Sequence, residues 1–322
     1  MLAAYAESLN PSDPLSGLVV GERPEPEAPD SWARVAVRAA AVNHHDIWSL
    51  RGQGLSAQLL PMILGCDAAG IDDEGNEVVV HAVISSDDWL GDETLDPRRS
   101  LLSEQLQGTL AAYVVVPRRN LVAKPSSLSF EEAACLPTSW LTAYRMLFTQ
   151  ARLQPGMSVL VQGAGGGVAT AATSLGAAAG LRVYVTSRDE SKRARALELG
   201  AHEAVAPGTR LPERVDAVVE TVGEATWSHS VRSLRPGGTL VVSGTTSGAH
   251  PADAELTRMF FLQLRVQGST MGTRDELCQL LSFLELTGTS PLIDRVLPLE
   301  QARDGFSAML DGQVFGKVVL TC

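Results

Sequence analysis

Cysteine is scarce in this chain. Four occur in 322 residues, Cys66, Cys135, Cys278 and Cys322, far apart and without a C-x-x-C pair. That spacing argues against a disulfide framework and against a thiolate metal cage, and it suits the reducing cytoplasm. Basic residues are also in deficit: 26 Lys and Arg stand against 37 Asp and Glu, for a formal net charge of −11. An acidic surface repels phosphate backbones, so no nucleic-acid partner is expected. Long apolar runs are missing too. Gly, Thr or a charge breaks each one well short of the roughly 18 residues that a membrane span needs, so no membrane association is expected. The start, Met1-Leu2-Ala3-Ala4-Tyr5-Ala6-Glu7, has no basic region followed by an apolar one, so a signal peptide is not expected either. What the chain does have is 45% hydrophobic and 20% charged residues. With its length, that describes a folded protein of two domains rather than a disordered one.

The texture changes along the chain, and no repeat of fixed period is visible. Roughly the first 120 residues favour short strands and turns. Residues 32–42 and 76–83 (NEVVVHAV) read as strands, while Pro11, Pro14, Pro24, Pro26 and Pro29 mark irregular chain. Residues 85–108, acidic at Asp87-Asp88 and Asp92-Glu93, read as a solvated loop. Ser129 then opens a helix as N-cap, with Glu132 at the capping-box position. A second helical stretch covers 141–149. Strands follow at 158–162, 181–186, 216–220, 239–243 and 264–268, with helices between them at 167–179, 191–199 and 227–234. Such alternation predicts a parallel, doubly wound sheet. A helix over 274–287 and a strand–helix–strand tail complete the chain.

The strongest single signal is Val159-Leu160-Val161-Gln162-Gly163-Ala164-Gly165-Gly166-Gly167-Val168-Ala169. An apolar strand runs into glycines and these run into a small-residue helix. A diphosphate needs backbone N–H groups at close range and the positive end of a helix, and side chains there would block the approach. Ala164, Gly165, Gly166, Gly167 and Val168 are therefore candidate contacts to a dinucleotide. About twenty residues on, an NAD-preferring site usually places an acidic reader of the ribose 2′-OH. Here Ser187 and Arg188 stand at the strand end with Lys192 one helical turn later, groups that suit a 2′-phosphate. The expected cofactor is NADP(H). A register shift of two would bring in Asp189 or Glu190 and favour NAD(H) instead.

Several blocks, in order, resemble the medium-chain dehydrogenase/reductase superfamily, in particular its zinc-free, quinone oxidoreductase-like branch. They are Ala41-Val42-Asn43-His44-His45-Asp46, Gly65-Cys66-Asp67-Ala68-Ala69-Gly70, Gly108-Thr109-Leu110-Ala111-Ala112-Tyr113, Leu141-Thr142-Ala143-Tyr144, the glycine turn, Glu198-Leu199-Gly200-Ala201 and Gly316-Lys317-Val318-Val319-Leu320. The resemblance implies an α/β protein with a GroES-like β catalytic domain (residues 1–123 and 273–322) around a doubly wound Rossmann domain (residues 124–272). It also implies a nicotinamide held between them and a homodimer or other homo-oligomer. The superfamily's catalytic zinc ligands fall to Asn43, Cys66, Asp67 and Thr138. Only one of these is a thiolate and none an imidazole, so no metal is expected. His44 and His45, if extended, point to opposite sides and cannot share an ion. Without a Lewis acid, hydride donation to an already electrophilic quinone or α,β-unsaturated carbonyl is favoured over alcohol oxidation.

Site roles follow from the same resemblance. Asn43 is the first candidate donor to a developing oxyanion, the plain alternative being a strand-end amide. His45 falls where the zinc enzymes relay protons, and an imidazole there can protonate an enolate or a hydroquinone anion; packing is the alternative. His44 aligns with a residue touching the cofactor diphosphate, and Thr142 opens the segment meeting the nicotinamide. Val222, Gly223, Ser243 and Gly244 lie at carboxyl ends of Rossmann strands, where ligands bind. Lys317 is a further candidate for reaching the cofactor, or a surface lysine. Asp46 reads as a structural hydrogen-bonding group. Trp48, Trp89 and Trp140 read as core, the alternative being the lining of an apolar substrate pocket, and His81, His202, His229 and His250 read as structural or surface residues. Two departures stand out: Ala112 replaces an acidic residue usual in relatives, and Ala169 a glycine. Two other readings stay open, a zinc-type alcohol dehydrogenase and a non-catalytic NADPH-binding sensor or scaffold.

Overall fold

Alternation of apolar and polar residues, and then continuous apolar runs, sort the chain into two kinds of sheet. The computed structural model describes residues 1–322. They divide into two units: Met1–Leu141 with Met271–Cys322, and the inserted Thr142–Thr270.

The first unit begins with β1 (Leu2–Ala6), β2 (Leu18–Glu22), β3 (Trp32–Val42), β4 (Met62–Ile63), β5 (Asp67–Ile71) and β6 (Glu77–Val80), then the short pair β7 (Val83–Ile84) and β8 (Ser100–Leu101), and finally β9 (Tyr113–Pro117) and β10 (Leu121–Ala123). Helix α1 (His44–Leu50) follows β3 directly, and α2 (Phe130–Ala134) follows β10. Ser129 caps α2 through the box expected from sequence, its hydroxyl accepting from the Glu132 N–H at 3.1 Å while the Glu132 carboxylate accepts from the Ser129 N–H at 2.8 Å. Because α2 packs on β3 and β5, the first unit extends to Leu141, beyond the boundary at 123 expected from sequence. The helical stretch beyond it is wider-wound than expected, with π-helical turns at Leu136–Trp140 and Arg145–Gln150 around α3 (Leu141–Tyr144).

The inserted unit carries β11 (Ser158–Val161), α4 (Gly167–Ala178), β12 (Arg182–Thr186), α5 (Glu190–Glu198), β13 (Glu203–Val205), β14 (Val215–Glu220), α6 (Trp227–Ser233), β15 (Leu234–Val242), α7 (Leu256–Phe261) and β16 (Arg265–Gly268). All its strands are parallel, in the order β13-β12-β11-β14-β15-β16. Each residue of β11 is buried, as a central strand covered on both faces requires. Strand order reverses beside β11, so the crevice at the carboxyl ends of β11 and β14 is the switch point where such sheets bind ligands.

The chain then returns to the first unit as α8 (Arg274–Thr287), β17 (Ile293–Pro298), α9 (Ala302–Leu310) and β18 (Lys317–Thr321). Strand β18 lies between β3 and β17 in the seven-stranded sheet β10-β6-β5-β3-β18-β17, with β9 pairing to β3. The core beneath it gathers Val35, Val37, Ile47, Leu50, Leu64, Leu110, Phe306 and Leu320. No helix is long and apolar enough to cross a membrane.

Three local expectations need correction. Residues 76–83 are not one strand: His81 breaks the run, its backbone bonding to Asn120. Residues 85–108 are more than a solvated loop, since β8 pairs with β7 and a buried Asp96 accepts from the N–H (2.7 Å) and hydroxyl (2.6 Å) of Ser86. His44 and His45 are not extended but open α1, because the Asp46 carboxylate accepts the Asn43 N–H at 2.8 Å and closes the first turn.

Candidate functional site

The turn after β11 leaves room for a ligand. Gly163 sits at φ +86°, a conformation that side chains resist. Gly166, the residue before α4, has an ordinary φ of −72°, yet a Cβ placed there would meet nothing within 4 Å. Space is open in front of a helix whose first N–H groups, at Gly167 and Val168, have no acceptor within the helix and whose dipole favours an anion. Ala164 is buried, so it offers main chain only, whereas Gly165, Gly166, Gly167 and Val168 lie at the accessible rim. A dinucleotide diphosphate fits this arrangement.

The ribose end is equally specific. Strand β12 stops at Thr186, leaving Ser187 half-buried and Arg188 exposed. Arg193 clamps this turn from α5, donating to the carbonyls of Ser187 (2.8 Å) and Arg188 (3.3 Å). Asp189 is spent on the helix: its carboxylate accepts from the Ser191 N–H and hydroxyl (both 2.8 Å) and from the Lys192 N–H (3.3 Å). The hydrogen bonds from Ser191 and Lys192 hold it below the usual carboxylate range. Lys192, in the first turn of α5, is half-buried.

Val222-Gly223 and Ser243-Gly244 stand at the ends of β14 and β15 as expected, but the N–H groups of Val222, Gly223 and Ser243 turn inward. Those of Val222 (2.8 Å) and Gly223 (2.9 Å) donate to the Glu220 carboxylate, and that of Ser243 to the Glu220 carbonyl (2.9 Å). Gly223 is needed by the fold itself, with φ +91° and a Cβ position 2.5 Å from the Gly248 carbonyl. Gly244 likewise packs against Thr221. Thr142 is buried in α3.

In the first unit, the predicted residues Asn43 and Lys317 meet. Lys317 is 2% exposed, and its ammonium donates to Asn43 Oδ1 (2.6 Å), Asp67 Oδ2 (3.0 Å) and the Val42 carbonyl (3.1 Å). All three of its donors are thereby used, which corrects the expectation that it reaches the cofactor. Asn43 is corrected for the same reason. Its amide donates to Asp67 Oδ2 (2.9 Å) and to the Ala41 carbonyl (3.2 Å), so no N–H is left for an oxyanion. Asp46 bridges this cluster to the next turn, accepting the Gly65 N–H at 2.8 Å, and burial pushes its carboxyl up.

His45 faces a different set. Its Nε2 is 3.0 Å from Glu104 Oε1, and its Nδ1 is 3.4 Å from Cys66 Sγ and 3.5 Å from Ser103 Oγ. Burial opposes a charge on the ring, but the Cys66 sulfur, Glu104 and Asp46 outweigh it and lift His45 well above the ordinary histidine range. Burial pushes the Cys66 thiol up while the neighbouring His45 draws it down, and its sulfur also lies 3.1 Å from the Leu102 carbonyl. His44 stands on the first turn of α1, with part of its side chain open to solvent and the ring flanked by protein. Enclosure by the surrounding chain, then the charges of Lys317 and Arg51, hold its imidazole below the ordinary range.

Comparison with known proteins supports the same architecture. Residues 29–126 match the alcohol dehydrogenase GroES-like domain, and residues 167–285 match the zinc-binding dehydrogenase family. A solved structure described as an NAD-dependent alcohol dehydrogenase is 34% identical, with a TM-score of 0.91 over 100% of both chains. The chain belongs to the medium-chain dehydrogenase/reductase superfamily. Other members of the superfamily similar to it are the alcohol dehydrogenase of Geobacillus stearothermophilus, 29% identical over 94% of this chain and 96% of its own, and the crotonyl-CoA carboxylase/reductase of Cereibacter sphaeroides, 30% identical over 73% of this chain and 67% of its own. Like those relatives, this member is an oxidoreductase with a Rossmann domain of the NAD(P)-binding type.

The superfamily's zinc can be tested against the residues present. No group of three or more His, Cys, Asp or Glu side chains is arranged to hold a metal ion. Among Asn43, Cys66, Asp67 and Thr138, the amide is hydrogen-bonded on both sides, only one group is a thiol, none is an imidazole, and an ammonium already sits against the carboxylate. This donor set does not fit zinc.

Some participants were not visible beforehand. Glu104 lies 59 positions from His45 and carries no motif. Glu220, Gln162, Thr186 and Ser230 form a buried polar chain. Its one signal is a carboxylate ending the apolar run Val215-Asp216-Ala217-Val218-Val219-Glu220.

Proposed function

We propose that this chain is an NADPH-dependent reductase that delivers hydride, without a metal, to an electrophilic acceptor such as an α,β-unsaturated carbonyl or a quinone. The observation that carries the reading is the Lys317 ammonium held between Asn43 and Asp67, where the resemblance puts the metal ligands. A cation fixed there leaves no Lewis acid for an alkoxide, so the acceptor must be electrophilic at the outset. The crotonyl-CoA carboxylase/reductase relative supports a conjugated acyl acceptor.

Gly165, Gly166, Gly167 and Val168 would hold the diphosphate, and Ser187, Arg188 and Lys192 the 2′-phosphate, because Asp189 is committed to α5. His44, Thr142, Val222, Gly223, Ser243 and Gly244 remain proposed cofactor contacts, with Val222, Gly223 and Ser243 acting through atoms other than their N–H groups, which are spent inside the unit. The reduced nicotinamide, when bound, supplies the hydride. His45 supplies the proton: Glu104 holds its ring oriented and charged, and both side chains keep an edge on solvent from which the proton is replaced. Asn43 and Lys317 position the strand end before α1 rather than touch the reacting atoms. The four unpaired cysteines fit a cytoplasmic location. Self-association as a homodimer is supported by the open edge strand β16 and the exposed Leu256, Phe260, Phe261 and Val266 beside it.

The test is a panel of quinones, enones and enoyl thioesters, following oxidation of NADPH against NADH, with metal content measured on the same sample. Turnover with NADPH and substoichiometric metal is expected. A stoichiometric transition metal would overturn the reading in favour of alcohol oxidation, which the alcohol dehydrogenase relatives suggest. Binding of NADPH without turnover of any acceptor would leave a sensor or scaffold.

A further inference from the structure

The inserted unit contains a continuous buried chain of polar groups whose direction can be assigned at each link. His229 Nε2 faces the Thr209 carbonyl at 2.9 Å, so that nitrogen carries the proton and Nδ1 is an acceptor. Gln162 Nε2, 2.9 Å from Nδ1, therefore donates to it, and also donates to Ser230 Oγ at 3.0 Å. Gln162 Oε1 accepts from the Thr186 hydroxyl at 2.7 Å, and Thr186 Oγ1 accepts from the Gly163 N–H at 3.2 Å. Ser230 passes its own proton to Glu220 Oε2 at 2.6 Å. Glu220 Oε1 takes the N–H groups of Val222 and Gly223, and the Thr226 hydroxyl lies within 2.9 Å of both carboxylate oxygens. Gln162, Thr186, Glu220 and Ser230 are all essentially inaccessible to solvent.

The branch through His229 runs outward to the Thr209 carbonyl, whereas from Gly163 each link through Thr186, Gln162 and Ser230 points toward one fully buried carboxylate. It ties together the carboxyl ends of three neighbouring strands, β12, β11 and β14. One end of the chain is the first residue of the glycine turn, and the other is the 222–223 turn. A buried carboxylate survives only where several donors satisfy it; here two N–H groups come from the 222–223 turn and two hydroxyls from Thr226 and Ser230, and the glycine turn is joined to it through Ser230, Gln162 and Thr186. We propose that Glu220 is a positioning residue for the dinucleotide: through Ser230, Gln162 and Thr186 it fixes the conformation of Gly163, and through its other oxygen that of Val222-Gly223, so that both turns meet the cofactor already ordered. This rests on the reading that the unit grips a nicotinamide dinucleotide.

The deciding residue is Thr186, whose hydroxyl is the link between Gly163 and Gln162. Affinities of the full-length protein for NADPH and for 2′-phospho-ADP-ribose, which lacks the nicotinamide, are measured by titration calorimetry. Thermal melts on the same samples track folding. Thr186→Val should weaken both ligands by the same factor, about tenfold for a lost buried hydrogen bond, and Thr186→Ser should restore wild-type affinity. Glu220→Gln should weaken both ligands and be non-additive with Thr186→Val. If Thr186→Val binds both ligands as the wild type does, or if Thr186→Ser is as weak as Thr186→Val, the proposal is overturned. Should Glu220→Gln fail to fold, the two Thr186 variants decide the matter alone. A wild-type protein that binds neither ligand refutes the dinucleotide reading itself, an outcome distinct from wild-type binding with indifferent variants.

Discussion

Replacing Lys317 by Met is the most exacting test of the first unit. The side chains are of similar length, so the packing around β18 is nearly kept while the ammonium is lost. Asp67, 0% exposed, would then sit in the core with its remaining donors reduced to the Asn43 amide. Removing one partner of a buried pair costs about 3–5 kcal/mol, because the other charge is left uncompensated. For a unit of this size each kcal/mol lowers the melting temperature by about 2–4 °C, so a fall of about 6–20 °C is expected. The assay is chemical denaturation with calorimetry, for Lys317→Met, Asp67→Asn and the double variant. Because the cost is that of a stranded charge rather than of the pair itself, the double variant should recover most of the loss. A loss below about 1 kcal/mol for Lys317→Met, or a double variant no better than the worse single one, would refute the account of a buried charge pair.

Four further outcomes follow from the site. Glu104→Gln should move the His45 imidazole titration, followed by nuclear magnetic resonance, down towards the ordinary range; an unmoved titration would remove Glu104 from the proton path. His45 is raised in the folded state, so its charge stabilises the wild type fully below the unfolded value near 6.5, and that contribution is lost as pH rises through the folded value. Stability measured across that range should decline for the wild type and stay flatter for His45→Asn. Gly166→Val should leave stability within about 0.5 kcal/mol, since nothing lies near its Cβ position, yet weaken NADPH binding by more than about tenfold if the diphosphate uses that space. Arg188→Ala should weaken NADPH and spare NADH, whereas Asp189→Ala should lower the melting temperature through the lost cap; equal effects of Arg188→Ala on both cofactors would argue against a 2′-phosphate contact.

The Rossmann unit was largely legible in the sequence because its information is local. Apolar strand runs, the glycine turn and the Ser129 cap each depend on residues within a few positions of one another. Asp189 was ambiguous as a reader of ribose until its bonds to Ser191 and Lys192 gave it a local task. In the first unit, what remained hidden is long-range. Asn43 looked like a free amide because the lysine that occupies it lies 274 positions away, and Lys317 looked like a cofactor contact for the converse reason. Glu104 emerges from a stretch that reads as solvated because its acidic residues are conspicuous, whereas the pairing that orders it, between β7 and β8, involves only two residues a side.

The way the chain leaves and re-enters the first unit has a practical outcome. Leu141 and Gly272 are in direct contact, so close that a methyl group on Gly272 would fall 2.6 Å from the leucine side chain. Everything from Thr142 to Thr270 thus hangs from two adjoining points. A graft that joins those points with a short linker should yield a self-standing β protein, and the same junction is a natural port for exchanging one nucleotide-binding module for another.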